Sequence, residues 1–244
     1  MEQSTGFFVF TNGVFDQTAK APNKTKMKIP PILLAAPVYG NAPIASIDCF
    51  YATINEHRVS ALKFNTGDSL VSRARNNLVA DFLLTKFEAI MFVDSDIIFS
   101  PDHVTALWKH IEAGHSIVAG LYPIKQISPL RWCVNAMPGA VQRPDGLIAA
   151  REAGTGFLMI HRRVFEAIAK DHPERAYKCD MDKRTKYDFF RVGVLDGRYM
   201  SEDWFFCHDA REAGFEVMAD SSVITEHIGT VNYPIQEPQF ETKP

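Results

Sequence analysis

The stretch AIMFVDSDIIFSPDHV, residues 89–104, places two carboxylates one residue apart at the end of an apolar run. Burying a carboxylate is costly unless it is paired or holds a cation. Asp94 and Asp96 stand where a strand should end, and open parallel sheets bind ligands beyond the carboxyl ends of their strands. Strand alternation predicts both acids on one side, with Ser95 pointing away. Two hard oxygen donors so placed suit Mg²⁺ or Mn²⁺, which in turn holds a diphosphate. Asp and Ser also end strands and cap helices. Here, though, the next helix has its own start in Ser100 and Pro101, an N-cap followed by proline at the first helical position, so capping does not account for the acids.

A second pair, Glu202 and Asp203, opens a helix behind Ser201. Acids in a first turn stabilise the helix dipole by about 0.3–1 kcal/mol, and that ordinary role stands level with a catalytic one. In the catalytic reading the helix start holds a general base, kept ionised by the dipole and the first-turn N–H groups. His227, in TEHIGT, is either a strand-end histidine or a metal ligand, and its neighbours do not decide. Gly154 and Gly156 let a backbone approach a ligand closely, or simply form a bend. Lys178, Lys183, Arg184 and Lys186 lie among Tyr177, Tyr187, Phe189 and Phe190, diluted by Asp180, Asp182 and Asp188; they read as a solvated loop before a nucleic-acid or sugar grip.

These residues need a scaffold. PILLAAPVYG, residues 31–40, reads as a buried strand and a loop, IASIDCFYATINEH as a helix, and VSALKF as a second strand. SLVSRARNNLVADFLLTKF, residues 69–87, has one apolar arc of Leu70, Val71, Ala74, Leu78, Val79 and Phe82. Arg75 falls inside that arc and needs a partner there, whereas Arg73 falls outside it. AIMFVD is a strand, SPDHVTALWKHIEAG a helix closed by Gly114, and SIVAGLYP a strand. This βαβαβαβ order predicts a mostly parallel sheet flanked by helices. Short strands in 130–160 predict antiparallel additions in the C-terminal half. HRRVFEAIAK and SEDWFFCHDAREAG are helices, FEVMAD is a strand, and polar residues 171–200 read as an excursion or lid. Residues 1–29 read as a lead-in and 231–244 as a tail.

The 244 residues, 46% of them hydrophobic, suffice for a full α/β core. A net charge of −3 supplies no whole-protein pull toward nucleic acid or anionic membrane. Four widely spaced cysteines without a CxxC favour free thiols over zinc or a disulfide framework. No apolar run is long enough to span a bilayer and no signal peptide is evident, which predicts a cytoplasmic protein. APVYGN is not GxGxxG, and P-loop and GxSxG motifs are absent, which disfavours dinucleotide, P-loop and α/β-hydrolase chemistry.

Taken in order, the PxYG after the first strand, the ARN helix, the DxD strand end, GTGF, the SED helix and the C-terminal HIG resemble GT-A-type glycosyltransferases. The likeness is greatest to small family-2-like enzymes of phages, viruses and bacteria, and it extends over residues 30–230. It implies a single Rossmann-like GT-A domain, a nucleotide-sugar donor (a UDP-sugar foremost) and Mn²⁺ or Mg²⁺. It further implies that Ala36, Pro37, Tyr39, Asp68, Arg75, Asp94 and Ser95 serve the nucleotide. Asp94, Asp96 and His227 would serve the metal. Asp203, with Glu202 beside it, would be the base of an inverting transfer, and Gly154, Gly156 and Trp204 would shape the sugar pocket. The acceptor stays open among glycan, protein, lipid-linked sugar and modified nucleic acid, and a viral origin would put the protein in host cytoplasm. The ribose-binding acid many relatives carry after the second strand has no clear match; Asp68 is nearest. The alternatives are a sugar-phosphate nucleotidyltransferase and a non-catalytic carbohydrate- or nucleic-acid-binding module.

Overall fold

In the computed structural model the described residues are 29–126, 129 and 131–229. The expected lead-in, apart from Ile29, and the expected tail lie outside them. The elements in chain order are β1 (Ile32–Val38), α1 (Ile44–Asn55), β2 (Ala61–Thr66), α2 (Val71–Leu83), β3 (Ala89–Val93), β4 (Ile97–Ile98), α3 (Pro101–Glu112) and β5 (Ile117–Leu121). There follow β6 (Val134–Ala136), β7 (Leu147–Ala153), β8 (Phe157–His161), α4 (Arg162–Asp171), β9 (Ala176–Lys178) and β10 (Thr185–Tyr187). The last are β11 (Gly193–Leu195), β12 (Arg198–Met200), α5 (Glu202–Glu212), β13 (Val217–Ile224) and β14 (Glu226–His227).

The main sheet has eight strands in the order β2-β1-β3-β8-β5-β13-β7-β6. Only β7 and β8 run against the other six. The sheet is thus mostly parallel, but the expected parallel run is split by β8, which inserts antiparallel between β3 and β5, Phe157 opposite Val93 and Leu158 opposite Ala119. β1, β3 and β8 are almost uniformly apolar because both faces are covered, the usual pattern for a central strand of an α/β sheet. Leu33, Ile90 and Phe92 pack with Leu78, Phe82, Phe165 and Phe206 of α2, α4 and α5. Ile32, Leu34 and Met91 pack on the opposite face with Phe50, Val104 and Trp108 of α1 and α3.

Two expectations change. The buried arc of α2 begins at Ala74, since Leu70 and Val71 at the helix start are 50% and 38% exposed. Residues 171–200, expected to be weakly patterned, are ordered. They form two short hairpins, β9–β10 and β11–β12, and they drive Phe189 and Phe190 into the core. Asn76 of α2 holds them there, its Oδ1 accepting from the N–H groups of Phe189 and Phe190 at 3.0 Å each. Lys186, expected in solvent, is buried and ion-paired to Asp182 at 2.9 Å. The four cysteines are free thiols.

Candidate active site

β3 stops at Val93, and Asp94-Ser95-Asp96 is a turn. Asp94 N–H donates to the Gly156 carbonyl at 2.9 Å, and Ile97 N–H donates back to the Asp94 carbonyl at 3.1 Å. Strand alternation therefore does not govern these side chains, and the two acids have different partners. Ser95 is half-buried in the turn.

Asp94 turns to Arg75, whose Nη2 donates to its Oδ1 at 2.8 Å; the Nη1 of Arg75 donates to Glu202. Arg75 is 3% exposed. Burial alone would lower its pKa, but Asp94 and Glu202 outweigh that and keep the guanidinium charged. The cation flagged inside the apolar arc thus finds its partners in two carboxylates, from the turn after β3 and from α5. Both its terminal nitrogens are engaged, which ties Asp94 to Glu202, while its buried Nε has no hydrogen-bond partner among the described residues.

Next to Glu202, Asp203 accepts through Oδ1 from the Ser201 hydroxyl and, at 2.8 Å, from Trp204 N–H. The sequence predicted a carboxylate kept readily ionised. Instead burial, the largest influence, together with Glu202 pushes Asp203 above the ordinary 3.8, against Ser201, Arg75 and the Trp204 N–H. Over the ring of Trp204 sits the Arg198 guanidinium, 4.3 Å from its centroid and paired to buried Glu152.

Asp96 meets His227 through a two-residue ladder. β4 pairs with β14, His227 opposite Ile97, and Ile228 N–H donates to the Asp96 carbonyl at 2.9 Å. His227 Nε2 then lies 3.4 Å from Asp96 Oδ1. Its Nδ1 is 2.8 Å from the Pro123 carbonyl, which can only accept, so Nδ1 carries hydrogen and Nε2 faces the carboxylate. Protonated, Nε2 donates toward Asp96; deprotonated, it leaves a nitrogen lone pair and a carboxylate oxygen 3.4 Å apart that a cation can take. Burial would lower the pKa of His227, but Asp96 and the Pro123 carbonyl outweigh it and raise it. Burial likewise opposes ionisation of Asp96, yet His227 and Lys125 hold it at about 2. The donor set fits a divalent cation: one carboxylate, and one imidazole oriented by a carbonyl on its far nitrogen. Among the described residues no group of three His, Cys, Asp or Glu side chains is placed to hold a metal ion, and Asp94 is ion-paired to Arg75 at 2.8 Å.

The glycine turn makes room for a tyrosine. A Cβ on Gly154 would lie 2.1 Å from the Tyr122 hydroxyl, and one on Gly156 would lie 2.7 Å from Tyr122 Cζ and 3.0 Å from Asp94 Oδ2. The close approach these glycines permit is to Tyr122, which accepts from Gly156 N–H at 3.0 Å and meets His227 edge-on with centroids 5.4 Å apart. Gly154→Ala is therefore expected to destabilise the fold by about 1–3 kcal/mol, as overpacking does. Adding Tyr122→Phe to Gly154→Ala should cost less than the sum of the two single variants, because it removes the clashing oxygen while leaving Gly156 N–H unpaired; strictly additive urea midpoints would contradict the contact.

The remaining nucleotide candidates divide. Tyr39 is 70% exposed past the end of β1, Pro37 is half-buried, and Ala36 is fully buried in the core. Asp68 is spent locally, on Arg73 at 2.8 Å and on Leu70 N–H at 3.0 Å at the start of α2. The carboxyl end of β2 instead presents Asn65, opposite Pro37, whose buried Oδ1 has no hydrogen-bond partner among the described residues. Sequence reading passed over Asn65, Tyr122 and Lys125. Only the GTGF pattern, two glycines needing space for something, pointed toward Tyr122.

Sheet order and site position together define a GT-A-type α/β fold. Its likeness to solved structures rests on shape: no protein-family model matches the sequence, and no curated protein does. A197 from STIV superposes with a TM-score of 0.53 at 15% identity, covering 86% of this chain and 99% of that one. GalNAc-T7, solved with UDP, GalNAc and Mn²⁺, superposes with a TM-score of 0.53 at 9% identity, covering 84% of this chain. This chain spans 45% of the GalNAc-T7 chain. No helix among the described residues is long and apolar enough to cross a membrane.

Proposed function

We propose that the chain is a glycosyltransferase moving a sugar from a nucleoside-diphosphate donor, a UDP-sugar foremost, to an acceptor hydroxyl with inversion. The observation that carries this reading is a division of labour among carboxylates at one end of the sheet. Asp96 and His227 lie 3.4 Å apart, Asp203 is a half-buried acid at a helix start, and Arg75 ties Asp94 to Glu202 beside it. The fold shared with GalNAc-T7, solved with UDP and Mn²⁺, supports the donor class.

Asp96 and His227 Nε2 would hold the cation, whose chemistry is Lewis-acid neutralisation of charge on the departing diphosphate. Asp203 takes the proton of the acceptor hydroxyl as general base. Its Oδ1 is fixed by Ser201 and Trp204, which leaves Oδ2 for the acceptor, and its raised pKa brings proton affinity closer to what a base needs. Glu202, committed to Arg75, sets the start of α5 rather than moving a proton. Tyr39, Pro37 and the orphaned Oδ1 of Asn65 border the nucleoside side, in place of Asp68.

A thermal-shift panel tests the class. UDP with Mn²⁺ at about 100 times its Kd should stabilise the protein by roughly 2.7 kcal/mol. ATP with Mg²⁺, or free sugars, should do far less. Stabilisation by ATP alone would favour a nucleotidyltransferase, and stabilisation by sugar alone a binding module.

A further inference from the structure

Lys125 has no place in the transfer just described, yet it occupies its centre. Its Nζ donates to Asp96 Oδ2, while Oδ1 of the same carboxylate faces His227. The lysine side chain is 45% exposed and the aspartate 29%, so the ammonium can leave into solvent without unfolding anything. Its stem runs beside Gly229, where a Cβ would stand 3.7 Å from both Lys125 Cγ and Cδ. The loop beneath is held independently of the ammonium. The Pro123 carbonyl accepts from His227, Pro123 bridges to Trp132, and Ile124 N–H donates to the Arg131 carbonyl at 2.8 Å. The backbone can therefore stay in place while the four-carbon stem of the lysine swings.

We propose that Lys125 competes with the divalent cation for Asp96, so that the free protein closes its own metal site with an ammonium. A monovalent and a divalent cation at contact on one carboxylate repel each other, so occupancy by one excludes the other. Lys125 stands in for the metal's charge until a metal-bound donor arrives, which keeps the Asp96–His227 pair satisfied and limits metal binding without a nucleotide. This rests on the reading of Asp96 and His227 as a cation site.

The test is Mn²⁺ titration calorimetry on the full chain without nucleotide, for the wild type, Lys125→Met and Asp96→Ala. Losing a charge-assisted competitor should tighten Mn²⁺ binding in Lys125→Met by about tenfold or more, and Asp96→Ala should abolish it. In the wild type, Mn²⁺ should also raise the acylation rate of Lys125, read by peptide mass spectrometry, because the ammonium is released. Wild-type affinity in Lys125→Met, or unchanged Lys125 reactivity, with binding still lost in Asp96→Ala, overturns the competition and leaves the cation site standing. No Mn²⁺ binding by any of the three proteins overturns both.

Discussion

Asp203→Asn should lower turnover by about 10²–10⁴-fold, the range for loss of a general base, and should at the same time make the protein more stable. Asparagine keeps an oxygen where Oδ1 accepts from Ser201 and Trp204, so the local geometry survives. It lacks only the basic carboxylate. The stability gain follows from linkage. The folded-state pKa of Asp203 is raised, so its contribution is favourable below the unfolded value of 3.8 and is lost as pH rises through the folded value. At neutral pH the ionised, half-buried carboxylate is a cost that the amide removes. Wild-type turnover should correspondingly fall as pH drops, with an apparent pKa above 3.8. Turnover at saturating donor and acceptor, paired with melting temperatures near pH 7, checks both halves. Near-normal turnover in the variant would end the assignment of Asp203 as base.

Arg75→Met should have the largest effect on stability. It removes a guanidinium that is 3% exposed and leaves Asp94 and Glu202 facing an apolar thioether. Removing one partner of a buried ion pair costs roughly 3–5 kcal/mol, because the remaining charge is left uncompensated. Asp94 and Glu202 retain 29% and 16% side-chain exposure, which places the expectation near 3 kcal/mol at neutral pH. Urea denaturation monitored by circular dichroism measures it. Arg75→Met/Glu202→Gln should recover part of the loss, since one carboxylate is neutralised. A loss below about 1 kcal/mol for the single variant would mean that the clamp contributes no more than a surface pair. Activity should fall as well, because the turn carrying Asp94 and the start of α5 are no longer tied together.

How legible the site was varied with how local its signals were. Ser100 and Pro101 start α3 as read, Gly114 and Gly214 close α3 and α5 in left-handed conformations, and Arg75 was recognisable as a buried cation from helical spacing alone. Leu195-Asp196-Gly197-Arg198 carried a hairpin signal that went unread: Asp196 and Gly197 both have positive φ, the two-residue turn that Asp-Gly favours. Residues 171–200 looked like a solvated excursion because their charges are paired within the segment and to α2, as in Lys186 with Asp182 and Arg184 with Asp81. Composition cannot reveal such pairing.

Strand and helix order, the helix caps, the placing of acids at the end of β3 and the start of α5, and the need of Arg75 for a partner were all present in the chain alone. Each follows from periodicity or chemistry within a few residues. The partners were decided by the tertiary structure. Asp94 went to Arg75, which also holds Glu202, and Asp96 went to His227 and Lys125, from a turn that begins where β3 ends. The insertion of β8 beside β3, the β4–β14 ladder that delivers His227, and the space Gly154 and Gly156 leave for Tyr122 all join residues distant in sequence. Which carboxylate holds a cation and which takes a proton depends on those neighbours and on burial, and both exist only once the chain has packed.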